Sequence, residues 1–244
     1  MRIFATAIFL TTMIPTATSG QDLREVSVYD GHATLEIPYD WNEIPEEMLE
    51  FYSLRAAESS GGRTAEIYQH GFRPGDPEMD FALPQILIQI RESGRLNYRR
   101  FANPPSSEEL LASGERVLYD HTGPMVRGIE LGSAVFDREK YALHLSNTLD
   151  LKFEGETSVE SVAFLTERGL FTVHFYADAS QTARTDPLFR RISESIRFDE
   201  ELAYRPHLTD LWPPSPSTVF FLLAALVAAV ALAYHFTRPR HQPS

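Results

Sequence analysis

Through most of the second half of the chain, apolar and polar residues alternate with a period of two, the pattern of strands with one buried face. Arg127–Phe136 and Lys140–Asp150 face each other across Asp137-Arg138-Glu139, and Ser158–Thr166 and Leu170–Ala177 form a hairpin across Glu167-Arg168-Gly169. In the last of these, Phe171, Val173 and Phe175 share one face, with Thr172, His174 and Tyr176 on the other. Gln85–Arg91 is a clear earlier strand, with Ile86, Ile88 and Ile90 on one side. Thr64–Phe72 alternates likewise, and Val26–Tyr29 and Ala33–Ile37 are short strands around an Asp30-Gly31 turn. Pro38-Tyr39-Asp40-Trp41 breaks that pattern.

Helical spacing interrupts the strands three times. Glu46–Ala57 places Met48, Phe51 and Leu54 one turn apart. Ser106–Leu118 opens on a serine cap, Ser106 or Ser107, and on Glu108 and Glu109, whose charge suits the helix dipole. Asp186 caps a helix beginning at Pro187, with Phe189, Ile192 and Ile196 as its apolar stripe. Consecutive strands joined by tight turns are antiparallel. The predicted class is therefore α+β: a mostly antiparallel sheet flanked by helices, an α/β/α sandwich.

The two ends follow another pattern. Arg2 and the uncharged stretch Ile3–Ile14, followed by Ala17-Thr18-Ser19, have the form of a secretory signal over residues 1–20. Val219–Phe236 holds 18 residues with no formal charge. Counted from Thr218, a helix there is roughly 28 Å long, close to the hydrocarbon thickness. Arg238, Arg240 and His241 follow it, whereas Asp199, Glu200, Glu201 and Asp210 precede it, which sets its basic end in the cytoplasm. The expected organisation is a signal peptide (1–20), an exported domain (21–200), a proline-rich spacer (201–217), a transmembrane helix (218–236) and a cytoplasmic tail (237–244). A tail that short holds no signalling domain. Ala224/Ala228, Ala225/Ala229 and Ala229/Ala233 repeat at small-xxx-small spacing, the pattern through which membrane helices form homodimers or meet a partner helix.

Charge and composition narrow the partners. The chain carries 22 basic and 34 acidic residues, a net of −12. Arg2, Arg238 and Arg240 lie in ends that contain no acid, so the segment between them has a net of −15. Such a surface does not favour nucleic acid. There is no cysteine, which excludes disulfides, thiol catalysis and thiolate metal sites. None of Asn42, Asn97, Asn103 and Asn147 opens an N-x-Ser/Thr sequon. Both absences suit a bacterial exported protein.

His32–Trp41 (HATLEIPYDW) is a strand running into a proline and a tryptophan, and Gly169–Phe198 is a tyrosine-bearing strand, a loop and a helix closing on Ser195-Ile196-Arg197-Phe198. Together these segments resemble the Mog1/PsbP-like α/β/α sandwich group. The resemblance implies that fold for nearly the whole exported domain, and by analogy of fold a role in binding proteins.

Residues able to carry chemistry are scattered. No P-loop, GxSxG, HExxH, CxxC or GxGxxG motif occurs, and no cofactor or metal site is predicted. Asp76, Glu78 and Asp80 alternate in a proline-flanked loop that can offer oxygens to a hard cation, although a solvated acidic loop explains them better. His144 and His174 sit on the less apolar faces of their strands and would form half a zinc or copper site if those faces coincided. Glu154 and Glu156, like Glu108 and Glu109, are paired carboxylates in positions where turn solvation and helix capping also use them. Tyr39, Trp41 and Phe51 either line a pocket or close the core. The expectation is a membrane-tethered, non-enzymatic accessory domain that binds a protein partner outside the cytoplasm. The alternatives are an exported hydrolase-like enzyme with a scattered carboxylate/His site and a ligand- or metal-sensing ectodomain.

Overall fold

The computed structural model describes residues 22–59, 67–76, 82–102, 126–151, 155–207 and 210. Two antiparallel sheets stack on one another. The smaller consists of β1 (Leu23–Val28), β2 (Ala33–Pro38) and a two-residue closing strand, β10 (Arg197–Phe198), with β2 in the middle. The larger has seven strands: β3 (Trp41–Glu43), β4 (Tyr68–Pro74), β5 (Gln85–Arg91), β6 (Val126–Asp137), β7 (Ala142–Leu151), β8 (Gly155–Leu165) and β9 (Leu170–Asp178). Their order is β3-β4-β5-β9-β8-β7-β6, with every neighbouring pair antiparallel. The α+β class and the antiparallel sheet are as the alternation predicts.

Each face of the large sheet receives one described helix. The strand register decides which residues meet which helix, because side chains alternate faces. Phe171, Val173 and Phe175 of β9, with Ile86 and Ile88 of β5 and Val162 and Phe164 of β8, face Leu35 and Ile37 of the small sheet and helix α2 (Thr182–Ser195). Phe175 meets Phe189 of α2 with ring centroids 4.9 Å apart. On the opposite face, α1 (Glu46–Ser59) packs Leu49 and Tyr52 over Tyr68 and Leu87. Gly71 makes this approach close: a Cβ there would meet Ile44 and Leu49, each at 2.9 Å.

Two elements differ from the sequence expectation, and a third is described only in part. β3 is a three-residue strand within the stretch read as a break, and it pairs Trp41–Glu43 with Phe72–Pro74. β4 is described from Tyr68, and the expected start at Thr64 lies outside the described residues. α2 starts at Thr182, so Pro187 sits inside it instead of opening it. Asp178, which accepts from Ser180 N at 2.8 Å, turns the chain into the helix earlier than Asp186 suggested.

The stretch expected to run as a spacer from Glu201 is docked as far as Asp210. Leu202 is fully buried, and Ala203 bridges to Thr166. Arg95 then clamps the chain: its Nη1 donates to Asp210 Oδ1 at 2.8 Å, its Nη2 donates to the Arg205 carbonyl at 2.6 Å and its Nε to Glu167 Oε1 at 3.2 Å. The Tyr204 ring lies 4.6 Å under the guanidinium and packs at a tilt against Tyr141, which meets Tyr98 edge-on. His207 N donates to Asp210 Oδ2 at 2.7 Å. Asp210 is 2% exposed, and Arg95 above all holds its carboxyl down at about 2.

The signal (1–20), the helix Ser106–Leu118 and the apolar stretch Val219–Phe236 lie outside the described residues. Among the described residues no helix is long and apolar enough to cross a membrane.

Candidate functional site

α1 covers only the β4–β5 part of its sheet face. Across β9, β8, β7 and β6 the same face forms the floor of a trough of about 440 Å³. The alternating register supplies its lining. Leu143, Leu145 and Leu149 come from β7, Val159 and Leu165 from β8, and Phe136 from β6. Phe101, just beyond the short 3₁₀ turn Tyr98–Arg100, also lines the trough. β9 supplies Thr172, His174 and Tyr176, and Asn147 and Ser161 add further polar groups. The trough thus has an apolar floor with a polar strip on the α1 side.

The polar strip is tied together. Ser161 and His174 are cross-strand partners, with Oγ 2.8 Å from Nδ1. The His174 ring stands edge-on to Tyr68 at 5.9 Å, and Tyr68 and Tyr176 bring their hydroxyls to 3.3 Å. A serine beside an imidazole is the beginning of a nucleophilic pair. The backbone around it is unsuited to acyl transfer. Ser161 lies mid-strand between β7 and β9, and the ladder to both neighbours engages the nearby amides that an oxyanion would need. The arrangement offers hydrogen bonds at the edge of an apolar surface, the make-up of a binding site.

The residues singled out from sequence fall elsewhere. His144 pairs with Val162 and His174 with Ser161, so the two imidazoles point from opposite faces of the sheet and share no metal. Burial lowers the pKa of His144. Among the described residues no three His, Asp or Glu side chains gather to hold an ion. Asp76 follows β4, whereas Glu78 and Asp80 lie outside the described residues. Glu156 is exposed at the start of β8, and Glu154, Glu108 and Glu109 also lie outside the described residues. Trp41 is buried in the main core, whereas Tyr39 is 71% and Phe51 41% exposed, so the three aromatics line no common pocket. On the far face, Glu160 is raised by burial and by Asp186, against the pull of Arg190.

Ser161 was not among the residues singled out, although the hairpin register contains it. Leu165 opposite Leu170 across the Glu167–Gly169 turn sets Ser161 opposite His174.

No protein-family model matches the chain, and no curated protein matches it. Among the solved structures similar to it are these three. One is the cyanobacterial PsbP protein CyanoP of Synechocystis sp. PCC 6803, at 11% identity over 75% of this chain and 96% of that one, with a TM-score of 0.47. Another is the Ran-binding protein Mog1p of Saccharomyces cerevisiae, at 11% identity over 73% and 96%, with a TM-score of 0.40. The third is a protein of unknown function from Pseudomonas aeruginosa, at 11% identity over 76% and 99%, with a TM-score of 0.35.

Proposed function

We propose that this chain is a non-catalytic accessory domain, exported and tethered by the apolar stretch Val219–Phe236, which binds a protein partner outside the cytoplasm. The observation that carries the binding role is the trough, an apolar sheet face edged by a polar strip, with its floor amides committed to the ladder. Export and tethering are supported by the charge pattern of the two ends. The partner places an apolar element over Leu143, Leu145 and Leu149, with hydrogen bonds toward Asn147, Ser161 and His174.

Leu145→Arg puts an unpaired charge on that floor, which a bound apolar element would have to desolvate. Affinity purification of the full chain from mild detergent is expected to recover a discrete partner with the unaltered protein and at least tenfold less with Leu145→Arg, a loss of about 1.4 kcal/mol of binding or more. An unchanged melting temperature confirms that the variant is folded. Hydrolytic turnover by the purified chain that vanishes in Ser161→Ala would instead establish the enzyme reading.

A further inference from the structure

The clamp around Asp210 lies nine residues before Val219, where the proposed tether begins. Every bond that holds the strap falls at one end of the large sheet. Arg95 follows β5, Glu167 lies in the β8–β9 turn, and Tyr141 ends the β6–β7 turn. Ala142 is the register partner of Phe164, so those two turns are neighbours at that end. The β7–β8 connection, next to Glu156, is at the other end. From Ala142 to Asp150 the strand separates the two ends by roughly 26 Å.

The clamp is also redundant. Asp210 takes both Arg95 and the His207 amide, Arg95 takes Asp210, Glu167 and the Arg205 carbonyl, and the Glu167 carboxylate takes Arg205 N at 2.8 Å as well. A strap held in this way cannot act as a swivel. Between the clamp and Val219 lie residues 211–218. Eight residues reach at most about 29 Å, and three of them, Pro213, Pro214 and Pro216, have fixed φ.

We infer that the Arg95–Asp210 clamp fixes which surface of the domain meets the membrane: the end carrying the β6–β7 and β8–β9 turns faces the lipid headgroups, and the β7–β8 end points away. The occupant of this surface is the bilayer that the proposed tether enters. The trough runs along the strands between the two ends, so the clamp presents it at a set height to a partner anchored in the same membrane. This inference rests on the tether proposed above.

The natural chain has no cysteine, so single cysteines can carry labels without background. Arg138 and Glu156 are both exposed, one in the β6–β7 turn and the other near the far end. With full-length protein in liposomes, a donor on Arg138→Cys should transfer energy to a headgroup acceptor at least about threefold more efficiently than one on Glu156→Cys, given the strand-length separation. Adding Asp210→Asn or Asp210→Ala should bring that ratio toward one. Arg168→Ala, which removes an exposed pair with Glu201 at 3.4 Å and a contact with Tyr29 but no bond of the clamp, should leave the ratio unchanged. Equal transfer from both sites in protein that resists alkaline carbonate extraction would overturn this inference and leave the tether standing. Release by carbonate would overturn the tether and this inference with it. A ratio that survives both Asp210 substitutions would also overturn the role of the clamp.

Discussion

Phe171→Ala should be the most damaging single truncation in the domain, costing about 3–5 kcal/mol. Phe171 is fully buried on β9, the strand between β5 and β8 in the large sheet. Its ring stands edge-on to Phe198 at 5.3 Å, and Phe198 also meets Phe164 at 5.5 Å. Phe198 is hydrogen-bonded into the small sheet opposite Ala33. Phe171 therefore joins the two sheets. Removing its ring discards transfer energy and leaves a void that backbone ladders on both sides keep from collapsing. Against a total stability of roughly 5–15 kcal/mol, that loss is a large fraction. Urea unfolding should show a lower midpoint with an unchanged slope. Leu54→Ala, at a position 65% exposed, should change the unfolding free energy by less than about 0.5 kcal/mol.

Asp210→Asn should cost about 2–3 kcal/mol and should also change the acid limb of the stability profile. The carboxylate is almost wholly buried, whereas the Arg95 side chain is 19% exposed, so the guanidinium left behind can partly rehydrate. That puts the cost at or below the lower end of the range for breaking a buried pair. Asp210 titrates near 2 in the folded chain, held there first by its hydrogen bonds from Arg95, against an ordinary value of 3.8. A carboxylate with a depressed folded pKa contributes stability that is fully present above its unfolded value. In the window between, the unfolded chain binds more protons, so stability falls as pH drops from about 4 to about 2. Asp210 should account for about 2 kcal/mol of that fall. Melting curves across this window should therefore be flatter for Asp210→Asn than for the unaltered chain. Parallel acid limbs would show that the clamp is not the group titrating.

Most of the sheet was legible because its signal is local. Gln85–Arg91 was bounded to the residue, and the β6–β7 and β8–β9 hairpins were placed to within a few residues, by alternation between turns. The helix Glu46–Ala57 was placed within two residues of α1. Elements with little periodicity were less legible. β3 has three residues, too few to show alternation, and exists because Trp41 is drawn into the core beside Phe72. The start of α2 is obscured because Asp186 and Pro187 carry a stronger local helix-start signal than Asp178, whose side chain organises the preceding 3₁₀ turn. The clamp has no local mark at all: Arg95 and Asp210 are 115 residues apart, and in the sequence Asp210 reads only as part of an acidic flank. The polar strip of the trough was half legible. The sequence marks His174 as lying on the less apolar face of its strand, but two faces of similar composition do not reveal which strands lie side by side. The hairpin register alone supplies Ser161 as its neighbour.

Whether the trough is the contact surface can be measured in intact membranes with a photo-crosslinking amino acid at Leu145, compared with the same group at Arg184, which is exposed on α2 against the other sheet face. Irradiation should give a discrete protein adduct from the Leu145 position and none from Arg184. Adduct formation from Arg184 with none from Leu145 would place the partner on the other face and contradict the binding role assigned to the trough.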